Sequence, residues 1–415
     1  MSENLRQKAQ EMARLGVLTD ELLKVRDRLK PIEHQPLSIM EAKVTPMPLK
    51  LTKPFEASFG RFEEMTKVFV SLTMADPDGK TVKGVGEGSP LPFPWYDGES
   101  HDTVMTVLDK YILPQLQRVA PDGQSVVRPI TSVDGLRQLY GDIVGHNMAK
   151  AAIEGAYWDA VGKMLGVPVS QLWGAERSVV DVGTSVGLEK TPQEMLKKID
   201  TAVEQGVKRV KIKIKPGKDV EYVKAIRQKY PDLMLQVDGN AAYDLSNPEH
   251  INALAALDEF GLTMIEQPGP NDDRYYHVQA SKKIKTPICL DESILNSRHA
   301  IEAIEMWAKE GILDRLIINI KPPRVGGFWE GVKIARICEA AGVPVWCGGM
   351  LESALGKTAN VHFSALSAVN MPGDHVSQGA YYQNDVAEPL DVVDGLIAVP
   401  TEPGWGVKNL QTDIY

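Results

Sequence analysis

Five charged residues stand at the ends of apolar, strand-like runs in the second half of the chain. They are two lysines and three acids: Lys213, Asp238, Glu266, Asp291 and Lys321. Neighbouring members are 25 to 30 residues apart, which is about one strand plus one helix. Because the carboxyl ends of parallel strands meet at one edge of a sheet, we expect these side chains to converge.

The alternation of side chains along a strand supports this convergence. In the stretch RVKIKI, Lys211 and Lys213 share one face, whereas Val210, Ile212 and Ile214 share the other. The apolar face should pack on helices. The two lysines are therefore predicted to point into the common site.

The predicted grouping has a definite chemistry. Three neighbouring carboxylates repel one another, and a divalent cation would remove that repulsion. An all-oxygen ligand set of Asp238, Glu266 and Asp291 favours Mg²⁺, with Mn²⁺ as the alternative. With a substrate carboxylate held there, a lysine could remove the proton from the adjacent carbon. Two lysines on opposite sides permit either racemisation or elimination.

Each of these residues also has an ordinary structural interpretation. Asp238 in DGN could belong to a turn, and Asp291 in DES could begin a helix. Lys321 before two prolines could be a surface residue, and the Lys211/Lys213 pair could be a solvated strand edge. The shared spacing of all five favours function over these separate explanations.

The elements that would position these residues alternate between strand and helix. From about residue 178, seven β-like runs alternate with helical stretches, and a weak eighth lies near GDHVSQGA. Eight such units predict a βα (TIM-type) barrel, an α/β fold with its site at the strand ends. An open doubly wound sheet is the alternative, but no GxGxxG follows the first strand. Residues 43 to about 172 contain strands followed by helices, which indicates an α+β domain.

Bulk properties exclude several classes of protein. The 415 residues carry a net charge of −9, which argues against a nucleic-acid partner. The three cysteines, Cys289, Cys338 and Cys347, have no CxxC spacing, so we expect neither disulfides nor a zinc site. No signal peptide and no membrane span is expected, and a cytoplasmic location follows. Residues 1 to 42 have apolar residues, Leu15 among them, at helical spacing, which predicts one or two surface helices.

Taken together, the quoted segments resemble a known family. RVKIKIKPG, LQVDGNAAY, MIEQP, CLDES, NIKPPRVGG and PVWCGGMLESALG are similar to segments of the enolase superfamily, in its muconate-lactonizing subgroup. Within it the likeness is to o-succinylbenzoate synthases and N-succinyl (N-acyl) amino acid racemases, and it runs from about residue 43 to the C-terminus. Lysine bases acting with Mg²⁺ in that superfamily are a known pattern.

The resemblance implies a domain plan and roles. It implies a helical extension (1–42), a capping α+β domain (43–172, completed by 386–415) and a catalytic barrel (173–385). Lys213 becomes the acid/base, Lys321 its counterpart that stabilises the enolate, Lys211 their neighbour, and the three acids the Mg²⁺ ligands. The specificity loops would be LTKPFEASFGRF, with Ser58 and Phe59, and GSPLPFPWYDG. The implied substrate-side or supporting positions are Asn240, Ser185, Glu292, Arg324, Gly349 and Met350.

The activity implied is the o-succinylbenzoate synthase-type syn-dehydration of menaquinone synthesis, with racemisation of N-succinylamino acids at the same site. A dedicated N-acyl amino acid racemase is the alternative, and a non-catalytic binding barrel is the third. Dipeptide epimerases carry Asp-x-Asp after the eighth strand, and Asp374-His375-Val376 departs from that pattern. The expected partner is a small carboxylate substrate, and the resemblance implies a homo-oligomer.

Overall fold

The computed structural model describes residues 2–57, 60–117, 128–375 and 381–414. Two helices open the chain, α1 (Ser2–Arg14) and α2 (Leu18–Arg28). An antiparallel sheet follows in the order β1-β2-β3, with β1 (Ser38–Ala57), β2 (Gly60–Ala75) and β3 (Thr81–Gly88). This sheet confirms the strands predicted after residue 43.

Helices complete the region that contains this sheet. In chain order they are α3 (His101–Val107), α4 (Leu113–Leu116), α5 (Val133–Gln138), α6 (Asn147–Leu165) and α7 (Val169–Leu172). A π-helical turn over Leu108–Ile112 joins α3 to α4. The long helix α6 is apolar nearly all round, because it lies against the sheet and against the barrel.

The second half of the chain forms the predicted barrel. Seven parallel strands are β4 (Val179–Val186), β5 (Arg209–Lys213), β6 (Met234–Asp238), β7 (Met264–Glu266), β8 (Ile288–Leu290), β9 (Leu316–Ile320) and β10 (Val345–Cys347). The weak eighth, β11 (Gly373–Asp374), pairs with β4, so the spatial order runs β10 to β4 and then β11. The residues before β11 bond to Val345 of β10, which brings the two ends together.

Helices between these strands cover the outside of the barrel. They are α8 (Pro192–Glu204), α9 (Val220–Lys229), α10 (Pro248–Ala255), α11 (Arg274–Lys283), α12 (Ser297–Lys309), α13 (Pro322–Val325), α14 (Phe328–Ala341) and α15 (Ala354–Ser364). The start of α8 shows how sequence sets a boundary. Thr191 and Glu194 form a capping box around Pro192, whose missing N–H is not needed in the first turn.

The C-terminal segment contacts both the barrel and the antiparallel sheet. A short strand, β12 (Leu396–Ala398), pairs antiparallel with β4. Trp405 is buried, and its indole nitrogen donates to the carbonyl of Val85 in β3 at 2.9 Å. The division into segments 1–42, 43–172 with 386–415, and 173–385 stays a prediction. Over the described ranges, none of the helices combines the length and apolarity needed to cross a bilayer.

The two N-terminal helices pack on the barrel helices α12 and α14. Gly342, which ends α14, lies so close to α1 that a Cβ there would stand 2.6 Å from the carbonyl of Ser2. Arg6 adds a hydrogen bond of 2.8 Å to the Gly342 carbonyl. Leu15 is 70% exposed because it lies in the turn between the helices, whereas Leu18 is 1% exposed.

Replacing Leu18 by alanine should therefore destabilise the protein. Removing a buried leucine side chain leaves a cavity, and we expect the free energy of unfolding to fall by about 2–5 kcal/mol. The matched control is Leu15→Ala, which should change it by less than about 0.5 kcal/mol. Urea denaturation measures both. Equal effects for the two variants would mean that α2 does not pack on the barrel in solution.

Candidate active site

A cavity opens at the carboxyl ends of the barrel strands, beneath the antiparallel sheet. Its volume is about 570 Å³, counting the solvent space at its mouth. Residues from both halves of the chain line it: Phe55, Leu91, Tyr96, Ser185, Lys211, Lys213, Asn240, Lys321, Gly349, Met350, Leu351, Lys357, Asp374 and Tyr381. The wall is thus partly apolar and partly cationic.

Lys211 and Lys213 enter this cavity from β5, as their alternation predicted. The Lys213 ammonium donates to Asp238 Oδ2 at 2.6 Å and to Asn240 Oδ1 at 2.5 Å. Lys211 lies deeper, with Glu266 Oε2 at 2.9 Å and Asp374 Oδ2 at 3.1 Å. Its ammonium also stands 4.8 Å from the centre of the Trp346 ring, within cation–π range. Val210 and Ile212 on the other face are buried in the core.

The three acids follow one another around the barrel. Asp238 and Glu266 are direct neighbours in the pairing of β6 with β7, and Asp291 comes immediately after β8. Glu266 is fully buried, and its carboxylate also accepts from Gln236 and Asn319, each at 2.7 Å. The register of β6 with β7 sets Asp238 beside Glu266, whereas Asp291 lies two residues beyond Cys289, the β8 residue that pairs with Glu266.

Lys321 comes from the opposite wall, just after β9. Its ammonium donates to Asp291 Oδ2 at 2.8 Å and to the hydroxyl of Tyr96 at 2.7 Å. The Tyr96 hydroxyl in turn donates to Asp291 Oδ2 at 3.0 Å. Arg324 pairs with the other oxygen of Asp291. Asp291 thus meets two cations, one from each side.

The electrostatics of the site follow from burial and pairing. Burial disfavours the charged form of Asp238, but Lys213 and Lys211 outweigh it and hold the pKa of that carboxyl far below its usual range. Burial and the Asp238 charge instead raise the pKa of Glu266. Burial would lower the pKa of Lys321, but Tyr96, Glu292 and Glu266 raise it above the usual value. Burial raises the pKa of Glu292 to about 7.

The other residues predicted for the site divide into two groups. Ser185, Asn240, Gly349 and Met350 line the cavity. A Cβ on Gly349 would stand 2.7 Å from the Lys357 ammonium, so a side chain there would require that ammonium to shift.

Two predicted residues lie behind the cavity. Glu292 accepts from the Asn240 amide at 3.1 Å, and Arg324 donates to the carbonyls of Ile294 and Asn319 at 3.1 and 2.7 Å. Ser58 and Phe59 lie outside the described residues. Phe55 from the same predicted loop, and Leu91 and Tyr96 from the second loop, do border the cavity.

Sequence reasoning missed three functional candidates. Tyr96 lies in the second predicted specificity loop, GSPLPFPWYDG, but nothing in its spacing indicates that its hydroxyl reaches Lys321. Asp374 does not complete the Asp-x-Asp motif of the dipeptide epimerases. It nevertheless binds Arg209 Nη2 at 2.6 Å as well as Lys211. Lys357 lies in the first turns of α15, and its ammonium pairs with Glu352 at 2.8 Å. The position of Asp374 at the end of the eighth strand was a usable signal.

The donor set can be tested for a divalent cation. Across the ranges given above, no three His, Cys, Asp or Glu side chains already form a metal-binding cluster. The carboxylates are instead satisfied by ammonium groups. Their chemistry nonetheless fits, because Asp238, Glu266 and Asp291 offer only oxygen, and Glu292 Oε2 is buried with no hydrogen-bond partner. Asp238, Glu266 and Asp291 would hold the ion, whose charge would add to that of the lysines in compensating the carboxylates.

A nearly closed βα barrel under an antiparallel sheet, with lysines and carboxylates at the strand ends, defines a class of barrel enzymes. Residues 39–174 match the mandelate racemase / muconate lactonizing enzyme N-terminal domain, and residues 194–411 match the enolase C-terminal domain-like family. The chain belongs to the enolase superfamily.

Individual relatives are similar over nearly the whole chain. An o-succinylbenzoate synthase of Geobacillus kaustophilus is 40% identical over 370 residues, which is 88% of this chain and 93% of that protein. An N-succinylamino acid racemase of Amycolatopsis sp is 38% identical, over 90% of this chain and 95% of that protein. The crystal structure of an enolase superfamily member from Listeria innocua superposes with a TM-score of 0.80 at 32% identity, covering 90% of this chain and 95% of that one.

Asp374 provides a test of the buried charge network. Burial disfavours its carboxylate, but Lys211 and Arg209 hold its pKa well below the usual range. Its stabilising effect is therefore present above the unfolded-state pKa of about 4 and is lost as the pH falls through the lower folded-state pKa. Asp374→Asn should reduce the free energy of unfolding at pH 7 by about 3–5 kcal/mol. The deficit should shrink on acidification from about pH 5 to about pH 3.

Urea titrations at several pH values measure this deficit. The matched control is Asp200→Asn, which breaks an exposed pair with Lys229 and should leave stability nearly unchanged. A deficit for Asp374→Asn that is small, or that is the same at every pH, would contradict the role assigned to this carboxylate.

Proposed function

We propose that the chain catalyses o-succinylbenzoate synthase-type syn-dehydration, and that the same site racemises N-succinylamino acids. The observation that carries the proposal is the placement of Lys213 and Lys321 on opposite walls of one cavity. β5 and β9 are separated by three strands in an eight-strand cycle, so their ends face each other across the barrel. A carbon held between the two ammonium groups can be approached from either face.

The residues of the chain divide the proposed reaction between them. Lys213, in its neutral form, removes the proton from the carbon next to the substrate carboxylate. In a syn-elimination the proton and the hydroxyl leave from the same face. The Lys213 ammonium formed in the first step can therefore return its proton to the departing hydroxyl, which leaves as water. Lys321, held by Tyr96 and Asp291, stabilises the developing negative charge.

Mg²⁺ is the proposed cofactor, with Mn²⁺ as a substitute. When bound, it supplies positive charge against the negative charge that develops on the substrate carboxylate. Asp238, Glu266 and Asp291 would hold it. Lys211, which lies deeper in the cavity, compensates the charge of Glu266 and itself pairs with Asp374.

The arrangement of the two lysines also favours a second function, which is racemisation. With no leaving group on the substrate, one lysine removes the proton and the other returns it to the opposite face. Hydrogen bonds to Tyr96 and Asp291 hold Lys321 in a fixed position. This position suits a proton donor as well as a group that stabilises negative charge. A dedicated N-acyl amino acid racemase is therefore the alternative, and a non-catalytic barrel is disfavoured by the lysines lining the cavity.

The cavity wall also matches the substrates proposed. Phe55, Leu91 and Leu351 offer apolar surface for a ring or an aliphatic side chain. The Lys357 ammonium lies in the wall near Gly349, and its charge is compensated by Glu352. Both substrate classes contain a succinyl group with a second carboxylate, which an ammonium group can bind. The cytoplasmic location, the homo-oligomeric state and the segment boundaries given above are also proposals.

A side-by-side assay tests the proposal. The wild-type protein should turn over both the cyclohexadiene substrate of o-succinylbenzoate synthase and N-succinylamino acids, and the ratio of kcat/KM ranks the two activities. Lys213→Ala should abolish both turnovers and should confine exchange of the α-proton with solvent deuterium to one enantiomer of the N-succinylamino acid, because only Lys321, on the opposite face, remains as the acid/base of the pair.

The control for this variant is Lys215→Ala, which removes an exposed lysine two residues further along. It should retain both activities. Exchange of both enantiomers at the wild-type rate by Lys213→Ala would reject Lys213 as the base. No turnover of either substrate by the wild-type protein would reject the proposed reaction itself.

Metal removal makes a separate prediction. Dialysis against EDTA should stop turnover, and Mg²⁺ should restore it. Glu266→Gln should weaken Mn²⁺ binding, followed by electron paramagnetic resonance, by more than about tenfold. The exposed Asp272→Asn serves as the control and should bind as the wild type does. Full activity of the metal-free protein, or equal binding by both variants, would refute the ligand assignment.

A further inference from the structure

The segment Gly349–Leu351 forms one wall of the cavity, and its backbone conformation is unusual. Leu351 has a φ of 54°, in the left-handed region that leucine rarely adopts. Such a conformation persists only when surrounding contacts hold it, and it is concentrated at ligand sites. The wall therefore depends on groups outside itself.

The groups that hold this wall come from outside the barrel. Lys67 of β2 donates its ammonium to the Met350 carbonyl at 3.0 Å. The Tyr382 hydroxyl donates to the next carbonyl, that of Leu351. The carbonyls on both sides of the Met350–Leu351 step are thus fixed by side chains distant in sequence.

The start of α15, just after the wall, is held in the same way. Glu87 of β3 accepts from the Ser353 and Gly356 amides at 3.1 and 3.0 Å, and Asp385 accepts from the Ala354 amide at 3.0 Å. These carboxylates occupy the N-terminus of the helix, where negative charge is favourable. The antiparallel sheet and the C-terminal segment together clamp the wall and its helix.

The burial of Lys67 in this set of contacts carries a free-energy cost. Its side chain is fully buried, and burying an ammonium group is unfavourable unless charges and acceptors compensate. Glu87, Glu352 and Asp385 supply that compensation. Lys67 is not among the residues lining the cavity, so it acts through the Met350 carbonyl.

We propose that Lys67 is a positioning residue that presets the Gly349–Leu351 wall for substrate. The inference rests on the proposed function for its effect on turnover, but not for its effect on the wall. The wall itself contains no acid or base: Lys213 ends β5, and Lys321 follows β9, with its Cε close to Gly348 just before the wall. Loss of Lys67 should therefore weaken substrate binding more than it slows the chemical step.

Lys67→Met tests the proposal, because it keeps the aliphatic stem and removes the ammonium. We expect KM to rise about tenfold, as for loss of a hydrogen bond to a charged group, with kcat changed much less. Amide hydrogen exchange of the peptide 349–354 should accelerate about tenfold, with α8 and α9 unchanged as an internal reference. Lys67→Gln, which keeps a shorter donor, should lie between the wild type and Lys67→Met.

The matched control is Lys163→Met. Lys163 of α6 also donates to a backbone carbonyl, that of Lys83 at 2.9 Å, and pairs with Asp159, but it does not touch the wall. It should leave KM and the exchange of 349–354 unchanged.

The outcomes separate this inference from the proposed function. If the wild type turns over neither substrate but Lys67→Met accelerates exchange at 349–354, the proposed reaction fails and the role of Lys67 stands. Exchange that is unchanged, or that accelerates equally over the whole chain, overturns the positioning role. Failure of both Lys67 variants to fold, while Lys163→Met folds, overturns it as well.

Discussion

The structure depends on the compensation of buried charges at the strand ends of the barrel. Three carboxylates and three ammonium groups meet at the strand ends, and each carboxylate accepts from at least one lysine. An isolated buried charge would be expensive, and removal of any one partner leaves the others uncompensated. This constraint explains why Asp374, outside the acidic trio, is fixed between Arg209 and Lys211.

The same compensation ties the two halves of the chain to one another. Tyr96 reaches from the loop after β3 to Lys321 and Asp291 in the barrel. Lys67 and Glu87 of the antiparallel sheet hold the segment that follows β10. The sheet is therefore more than a cover over the cavity, because its side chains complete hydrogen bonds that barrel residues leave open. Relative movement of the two parts would expose buried charges on both sides, which favours a fixed arrangement.

Much of this arrangement could be predicted from sequence, because it follows from local periodicity. The spacing of Lys213, Asp238 and Glu266 indicated that they occupy equivalent positions on successive strands. The alternation around Lys211 indicated which face of its strand it occupies. The contact between Tyr96 and Lys321 could not be predicted, since it joins residues 225 positions apart through an irregular loop. The exposure of Leu15 could not be predicted either, since helical spacing continues through the turn in which Gly16 has a φ of 71°. Long-range pairing and short turns are not recorded in apolar periodicity.

The helices α1 and α2 have a consequence for assembly. They already occupy the flank of the barrel formed by α12 and α14, with Gly342 in direct contact with α1. A second copy of the chain cannot use that flank while they remain in place. A closed symmetric oligomer, in which the same patch serves both subunits, would have to be built on a different surface. Relatives without such helices would leave the equivalent flank free, so the way in which copies associate could differ between proteins that share the same cavity.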